Sequence, residues 1–197
     1  MIIGQSELVF NSLMWLKLLF QIPGCYNSSN KQKEVVMMMI SNLSKSAERV
    51  QAVLNQFGLN LEVKEFADST RTSQEAADAV GCQLGQIAKS LIFKGKVSGD
   101  PVCVIASGAN RVNEKRIAEY LGEKIEKADA AFVLEHTGFA IGGIPPVGHV
   151  NAVKPFIDED LLQYEEIWGA AGTPHAVFKL KPEDLVRMTG GEVVEVK

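Results

Sequence analysis

The sequence predicts one mixed α/β domain over residues 41–197, preceded by a segment that does not belong to it. Three observations lead there. The chain has 197 residues, and a domain typically takes about 150, so one domain plus a remainder fits. A hydrophobic share of 46% with 22% charged residues supplies a real core and excludes a wholly disordered chain. Short strand patterns and short helix patterns alternate irregularly, without the βαβ repeat of a parallel sheet and without internal repeats.

The elements follow in order. Ser44 to Glu48 opens a helix whose stripe is Val50, Val53, Leu54 and Phe57, and Gly58 closes it. Residues 61–66 alternate with period two and read as a strand. Thr72 followed by Glu75 forms a capping box for a short helix that ends at Gly81. A turn from Gln83 to Ala88 leads into an apolar strand, Leu91-Ile92-Phe93, whose antiparallel partner is Val102 to Ala106. Helices start at Arg111 or Asn113 (closed by Gly122) and near Ala130 (closed by Gly138). A Gly- and Pro-rich loop spans Gly142 to His149. Asp158 to Tyr164 reads as a short helix, Ala176 to Leu180 as a strand, Pro182 to Gly190 as a last helix, and Val193-Val194 as a final strand.

The first forty residues form an extension expected to be poorly ordered. Their apolar patch, Leu13 to Phe20, is interrupted by Lys17 and is far shorter than the roughly twenty residues that span a bilayer. Only Glu7 precedes it where a signal peptide carries cations. The run Met37-Met38-Met39 suggests that translation begins there.

Charge and metal-binding residues exclude further classes. Lys and Arg number 20 against 24 Asp and Glu, a formal net charge of −4, which is no footprint for gripping long duplex nucleic acid. Three cysteines, Cys25, Cys82 and Cys103, are an odd set without CxxC spacing, which argues for reduced thiols in a cytoplasmic protein. His136, His149 and His175 lack the spacing of a metal site, so no metal and no cofactor is expected.

Four places could carry chemistry. Lys89, at the mouth of the most apolar strand, is either a snorkelling side chain or a cation kept for an anion. The loop Gly142-Gly143-Ile144-Pro145-Pro146-Val147-Gly148 is either a structural turn or a stiff cradle of free N–H groups. His149 and His175 are bases, ribose contacts or plain loop hydrogen-bonders, and His136 sits where it would serve a helix C-terminus. Arg111, Lys115 and Arg116, after Ser107-Gly108-Ala109-Asn110, are a solvated face or a phosphate contact. No Gly-x-Ser-x-Gly elbow or other nucleophile spacing appears.

Taken together, Thr72…Glu75-Ala76-Ala77…Gly81, Gln86-Ile87-Ala88-Lys89-Ser90-Leu91-Ile92-Phe93, Gly142 to His149, and Ala171-Gly172-Thr173-Pro174 with Pro182-Glu183-Asp184-Leu185 resemble the YbaK/prolyl-tRNA synthetase-associated editing domain family from about residue 44 to 197. The resemblance implies a mixed sheet curled into a partial barrel with helices outside. It implies a free-standing deacylase that removes a wrong small amino acid (Ala, Ser, Thr or Cys) from a tRNA 3′ end, usually that of tRNA(Pro). Prolyl-tRNA synthetase is then a candidate partner, and no membrane is involved. By resemblance Lys89 holds the acceptor end's phosphate or terminal ribose, and the Gly142–Pro146 loop encloses the aminoacyl group. Lys89, Gly142, Gly143 and His149 form the expected catalytic set; Thr72, Ser107, Ile144, Pro145, Pro146, Gly148, Gly172 and His175 are the expected substrate contacts.

The family's cysteinyl-specific branch resembles this chain less at two places. It carries Gln where this chain has His149, and an Asp in the strand spelled here Ala176-Val177-Phe178. Ala, Ser and Thr substrates therefore gain weight. The implied chemistry suits the residues present, because an aminoacyl ester is already activated and needs an oriented water and oxyanion donors rather than a covalent nucleophile. The few cations suffice for a single-stranded acceptor end. The rival classes are an inactive module of the same family that binds a nucleotide, a tRNA end or a synthetase, and a protein tethered to a membrane through residues 1–25.

Overall fold

The computed structural model describes residues 43–197, so the expectations for the first forty residues lie outside it. The described residues form five α-helices and eight strands in one mixed sheet. They run α1 (Lys45–Gln56), β1 (Val63–Glu65), α2 (Ser73–Val80), β2 (Ile87–Gly95), β3 (Pro101–Ser107), α3 (Glu114–Leu121) and β4 (Ile125–Lys127). Then come α4 (Ala130–Thr137), β5 (Lys154–Asp158), β6 (Ile167–Ala170), β7 (Ala176–Leu180), α5 (Pro182–Thr189) and β8 (Glu192–Val194). Single 3₁₀ turns at Leu84–Gln86 and Glu159–Gln163 precede β2 and follow β5. The sheet order is β1-β7-β6-β2-β3-β5-β8, with β4 attached to β2 beside that path.

The helix boundaries lie where the residue types put them. Ser44 accepts from the Ala47 N–H at the start of α1, and Asn113 and Asp129 cap α3 and α4 in the same way. The Thr72/Glu75 box is present in full: Glu75 N–H donates to Thr72 Oγ1 at 3.1 Å, and Thr72 N–H donates to Glu75 Oε2 at 3.0 Å. Gly81, Gly122, Gly138 and Gly190 end their helices in the left-handed conformation.

β2 and β3 make the antiparallel hairpin expected from the Gly95–Pro101 turn, in the register Ala88 opposite Ser107 through Lys94 opposite Pro101. Every residue of β3 is buried, because both faces are covered. Cys103 and Ile105 join the larger core with Val50, Leu54, Phe139 and Phe178, while Val102, Val104 and Ala106 pack with Ile117 of α3, Phe156 and Val196.

Three expectations need correction. Lys89 is not at the mouth of its strand: β2 already begins at Ile87, and Lys89 is its third residue. Asp158 to Tyr164 is not a helix but the end of β5 followed by a 3₁₀ turn. Strands β4, β5 and β6 were not evident as strands. Pro155 and Gly169 suppress the local strand signal, and these strands form because β2 and β3 offer edges to pair with.

Candidate active site

A cavity of about 710 Å³ opens beside β2 and is lined by all residues from Ile87 to Phe93. Its other walls come from the start of α2, the Asn110–Glu114 segment, the ends of β4 and β6, and the loop at Ile141–Ile144. Four cations, Arg71, Lys89, Arg111 and Lys127, line it against one carboxylate, Glu114, while Ala88, Ile92, Ile144 and Val177 give it an apolar floor. A cationic rim over an apolar floor suits a ligand that is anionic at one end and small and apolar at the other.

Lys89 is half-buried, and its ammonium donates to the carbonyls of Gly108 at 3.2 Å and Asn110 at 2.5 Å. The turn that offers these carbonyls is organised by Asp158, which is only 1% exposed. Asp158 accepts from Ser107 N–H and Asn110 Nδ2 at 2.9 Å each, and from Asp160 N–H at 3.1 Å. Burial pushes the Lys89 ammonium below the usual lysine range; the nearby Asp158 charge opposes this and Arg111 adds to it. Asp158 escaped the sequence reading because nothing near it in the chain points to Lys89; only the pairing of β5 with β3 brings it there.

The expected loop and the Ala171–Pro174 segment dock on one another. Gly172 N–H donates to Gly143 O at 2.9 Å, and a Cβ on Gly143 would lie 2.6 Å from the Thr173 backbone. Gly142 has φ +99° and lies beneath the Arg71 side chain. Arg49 of α1 holds the far side, donating to Thr137 O, Gly138 O and Gly148 O while its guanidinium lies 4.2 Å above the Phe139 ring.

Of the residues named from sequence, Lys89, Thr72, Gly142 and Ile144 line the cavity together. Thr72 does so with its hydroxyl already engaged in the helix cap. Gly143, Pro145, Pro146, Gly148 and Gly172 do not line it; they form the buried or half-buried frame behind the wall. Ser107 is buried off the cavity wall, and its hydroxyl donates to Gly85 O at 2.8 Å. His175 is likewise turned to the Asp68 carbonyl at 3.1 Å. His136 meets Asn151 and the Phe132 ring. Arg111 lines the cavity, whereas Arg116 is ion-paired with Glu195 and Lys115 is elsewhere. Arg71, Lys127 and Trp168 are lining residues that sequence reasoning missed, each carrying no motif of its own.

His149 is off the cavity wall, and its Nε2–H donates to Pro145 O at 2.8 Å, a fastening for the loop rather than a group facing the reaction. Burial pushes its pKa below the ordinary 6.5, with the Pro145 carbonyl opposing and Arg49 adding. The unfolded chain therefore binds this proton more readily than the folded one, so stability falls as pH drops below about 6.5. The melting temperature is expected to be lower at pH 5.5 than at pH 7.5, and His149→Gln to shrink that difference. An equal pH dependence in both proteins would remove His149 from this role.

No group of three His, Cys, Asp or Glu residues that could hold a metal occurs among the described residues. No helix among them is long and apolar enough to cross a membrane. The cavity offers cations and shape, which serve orientation and charge stabilisation.

The aminoacyl-tRNA editing domain model matches residues 67–188, a span that contains every cavity-lining residue. A crystal structure described as a candidate trans-editing enzyme for prolyl-tRNA synthetase superposes with a TM-score of 0.75 at 46% identity, covering 79% of this chain and 98% of that one. The uncharacterized protein YwhH of Bacillus subtilis (strain 168) is 30% identical over 149 residues, 75% of this chain and 94% of its own. EbsC of Enterococcus faecalis (strain ATCC 700802 / V583), named as a candidate Cys-tRNA(Pro)/Cys-tRNA(Cys) deacylase, is 27% identical over 135 residues, 67% of this chain and 82% of its own. This chain belongs to the aminoacyl-tRNA editing domain family.

Proposed function

We propose that the protein is a free-standing deacylase that hydrolyses the ester of a small amino acid mischarged onto tRNA, with tRNA(Pro) as the carrier. The observation that carries this reading is the cavity itself: a cationic rim of Arg71, Lys89, Arg111 and Lys127 around an apolar floor beside β2. At about 710 Å³ it is larger than a small acyl group fills, and it falls in the range of about 300–1,000 Å³ that takes ligands with several rings. It therefore has room for the terminal adenosine as well as the aminoacyl group. The names borne by EbsC and by the 46%-identical structure point to proline's tRNA and its synthetase.

In this reading Lys89 and the rim arginines hold the acceptor end, and backbone N–H groups stabilise the oxyanion. A water oxygen bonds to the ester carbonyl carbon, the bond to the ribose oxygen breaks, and that oxygen takes up the proton the water gives away. No covalent enzyme intermediate is needed, because the ester is an activated one. Val177 lines the cavity from the strand in which the cysteinyl branch carries an Asp, and the lack of that Asp here gives Ala, Ser and Thr weight over Cys. Pocket walls discriminate one methylene by only about 1–3 kcal/mol, so overlap among small acids is expected.

The test is release of labelled amino acid from tRNA(Pro) charged with Ala, Ser, Thr, Cys or Pro, with and without prolyl-tRNA synthetase. Release of at least one of Ala, Ser or Thr, with Pro spared, is the expected result. Binding of these tRNAs without release of any amino acid above the buffer rate would instead identify an inactive binding module.

A further inference from the structure

Strand β2 is paired along the whole of one edge and only at the two ends of the other. β3 covers the first edge from Ala88 to Lys94. On the second, β6 pairs only with Ile87 and Ala88, and β4 only with Phe93, Lys94 and Gly95. Residues 89–92 have no neighbouring strand there, a gap of roughly 13 Å at about 3.3 Å per residue.

Both ends of the gap are built. At one end Gly172, at φ +92°, turns the chain away just after β6; Ala171 N–H donates to Ala176 O, and Gly172 N–H to Gly143 O. At the other, Asp129 caps α4 two residues after β4 ends, accepting from Phe132 N–H. The chain leaves the sheet at both places for reasons of its own, and the opening between is where the cavity lies. Gly169 and Ala170 line it on one flank, Lys127 and Ala128 on the other, with Ser90 between them.

The alternation of the ladder says which backbone groups face the gap. Ile87 O accepts from Gly108 N–H at 2.7 Å and Gly95 N–H donates to Asp100 O at 2.9 Å, so odd-numbered residues of β2 bond toward β3. The N–H and C=O of Ser90 and the N–H of Ile92 therefore point to the open edge. The Ser90 hydroxyl, buried in the same wall, also has no hydrogen-bond partner. Buried polar groups are almost always paired, so a stretch left open inside a cavity is suited to an occupant.

Resting on the deacylase reading, we propose that this open edge at Ser90 is the subsite for the part of the aminoacyl group that is the same in every amino acid. The Ser90 carbonyl accepts from the α-ammonium, and the Ser90 N–H donates to the ester carbonyl oxygen, while the Ile92 N–H, about 6.6 Å further along the strand, is covered by the bound group. This is the two-bond exchange that a neighbouring strand residue would make. A passing peptide strand does not fit, since β6 and β4 close both ends; a single residue at the end of another chain does. Recognition through backbone atoms is indifferent to the side chain, which leaves selection among small acids to walls such as Ile144 and Val177.

Amide hydrogen exchange measured by NMR on the full chain tests this, using a non-hydrolysable 3′-amide-linked alanyl-adenosine as the probe. In the free protein the Ser90 and Ile92 amides are expected to exchange at least ten-fold faster than those of Lys89 and Leu91 in the same strand. With saturating probe they are expected to slow by ten-fold or more, and the N-acetylated probe, which lacks the ammonium, to bind at least ten-fold more weakly. If the probe binds and the Lys89 region responds while the Ser90 and Ile92 amides stay unprotected, the subsite is elsewhere and the deacylase reading stands. Equal affinity for the N-acetylated probe would also overturn the assignment. If the probe does not bind and no aminoacyl-tRNA is cleaved, the deacylase reading fails and takes the subsite with it.

Discussion

Lys89→Ala is expected to lower deacylation of the cognate mischarged tRNA by at least ~10³-fold in kcat/KM, equivalent to about 4 kcal/mol of transition-state stabilisation at 1.36 kcal/mol per decade. The side chain is the one cavity-lining cation rooted in β2, and its ammonium is held by two fixed carbonyls rather than waving from the surface. A group held in this way needs no reorganisation when charge develops on the substrate, which is where electrostatic stabilisation is strongest. The substitution leaves Gly108 O and Asn110 O without this donor and Asp158 without its nearby cation, a cost of about 1–3 kcal/mol in stability. The fold should survive, as a cooperative melt and an unchanged circular dichroism spectrum would show. Lys89→Arg should rescue little, because a longer and bulkier guanidinium does not fit where a compact ammonium is half-buried. Turnover by Lys89→Ala within a few-fold of wild type would remove Lys89 from the site.

Gly143→Ala is expected to lower both stability and activity. The new Cβ would lie 2.6–2.7 Å from three backbone atoms of Thr173, and backbone, unlike the tip of a side chain, cannot swing aside. The Gly142–Gly148 loop must then part from the Gly172–Thr173 turn and lose the Gly172 N–H to Gly143 O bond. Overpacking of this kind costs about 1–3 kcal/mol. Because Gly142 and Ile144 on either side line the cavity, activity should fall along with stability. Gly122→Ala is the control. Nothing lies within 4 Å of its Cβ, so only the left-handed backbone, at φ +85°, is strained, at about 1–2 kcal/mol. Thermal melts and deacylation rates of the two variants should therefore separate: both destabilised, only Gly143→Ala inactive. Full activity in Gly143→Ala would show that the loop does not shape the reacting cavity.

The helices were legible because their signals are local. Thr72 with Glu75, Asn113 and the closing glycines each act within one turn of chain, so reading them requires no knowledge of the rest of the molecule. The β2–β3 hairpin was legible for the same reason, since its two apolar runs are joined by one short turn. The strand Lys154-Pro155-Phe156-Ile157-Asp158 was not, because its partners Val102 to Ile105 are some fifty residues away and Pro155 reads as a breaker. Glycine at position 169 likewise reads as a break, yet it is where the Phe178 ring comes to 3.3 Å of a would-be Cβ.

Of the site, the sequence by itself determined the reagents: one lysine on an apolar strand, a stiff glycine–proline loop, and no nucleophile or metal spacing. Tertiary structure alone decided where they stand. It sent Ser107 and His175 to carbonyls away from the cavity and made His149 a loop fastening. It also brought Asp158 close to Lys89 and Arg71 and Lys127 to the cavity that Lys89 lines, and left one edge of β2 unpaired over residues 89–92. The division has a physical cause. A cap or a turn is settled by groups a few bonds apart, whereas a cavity is the space left when distant strands end, and where they end depends on everything packed around them.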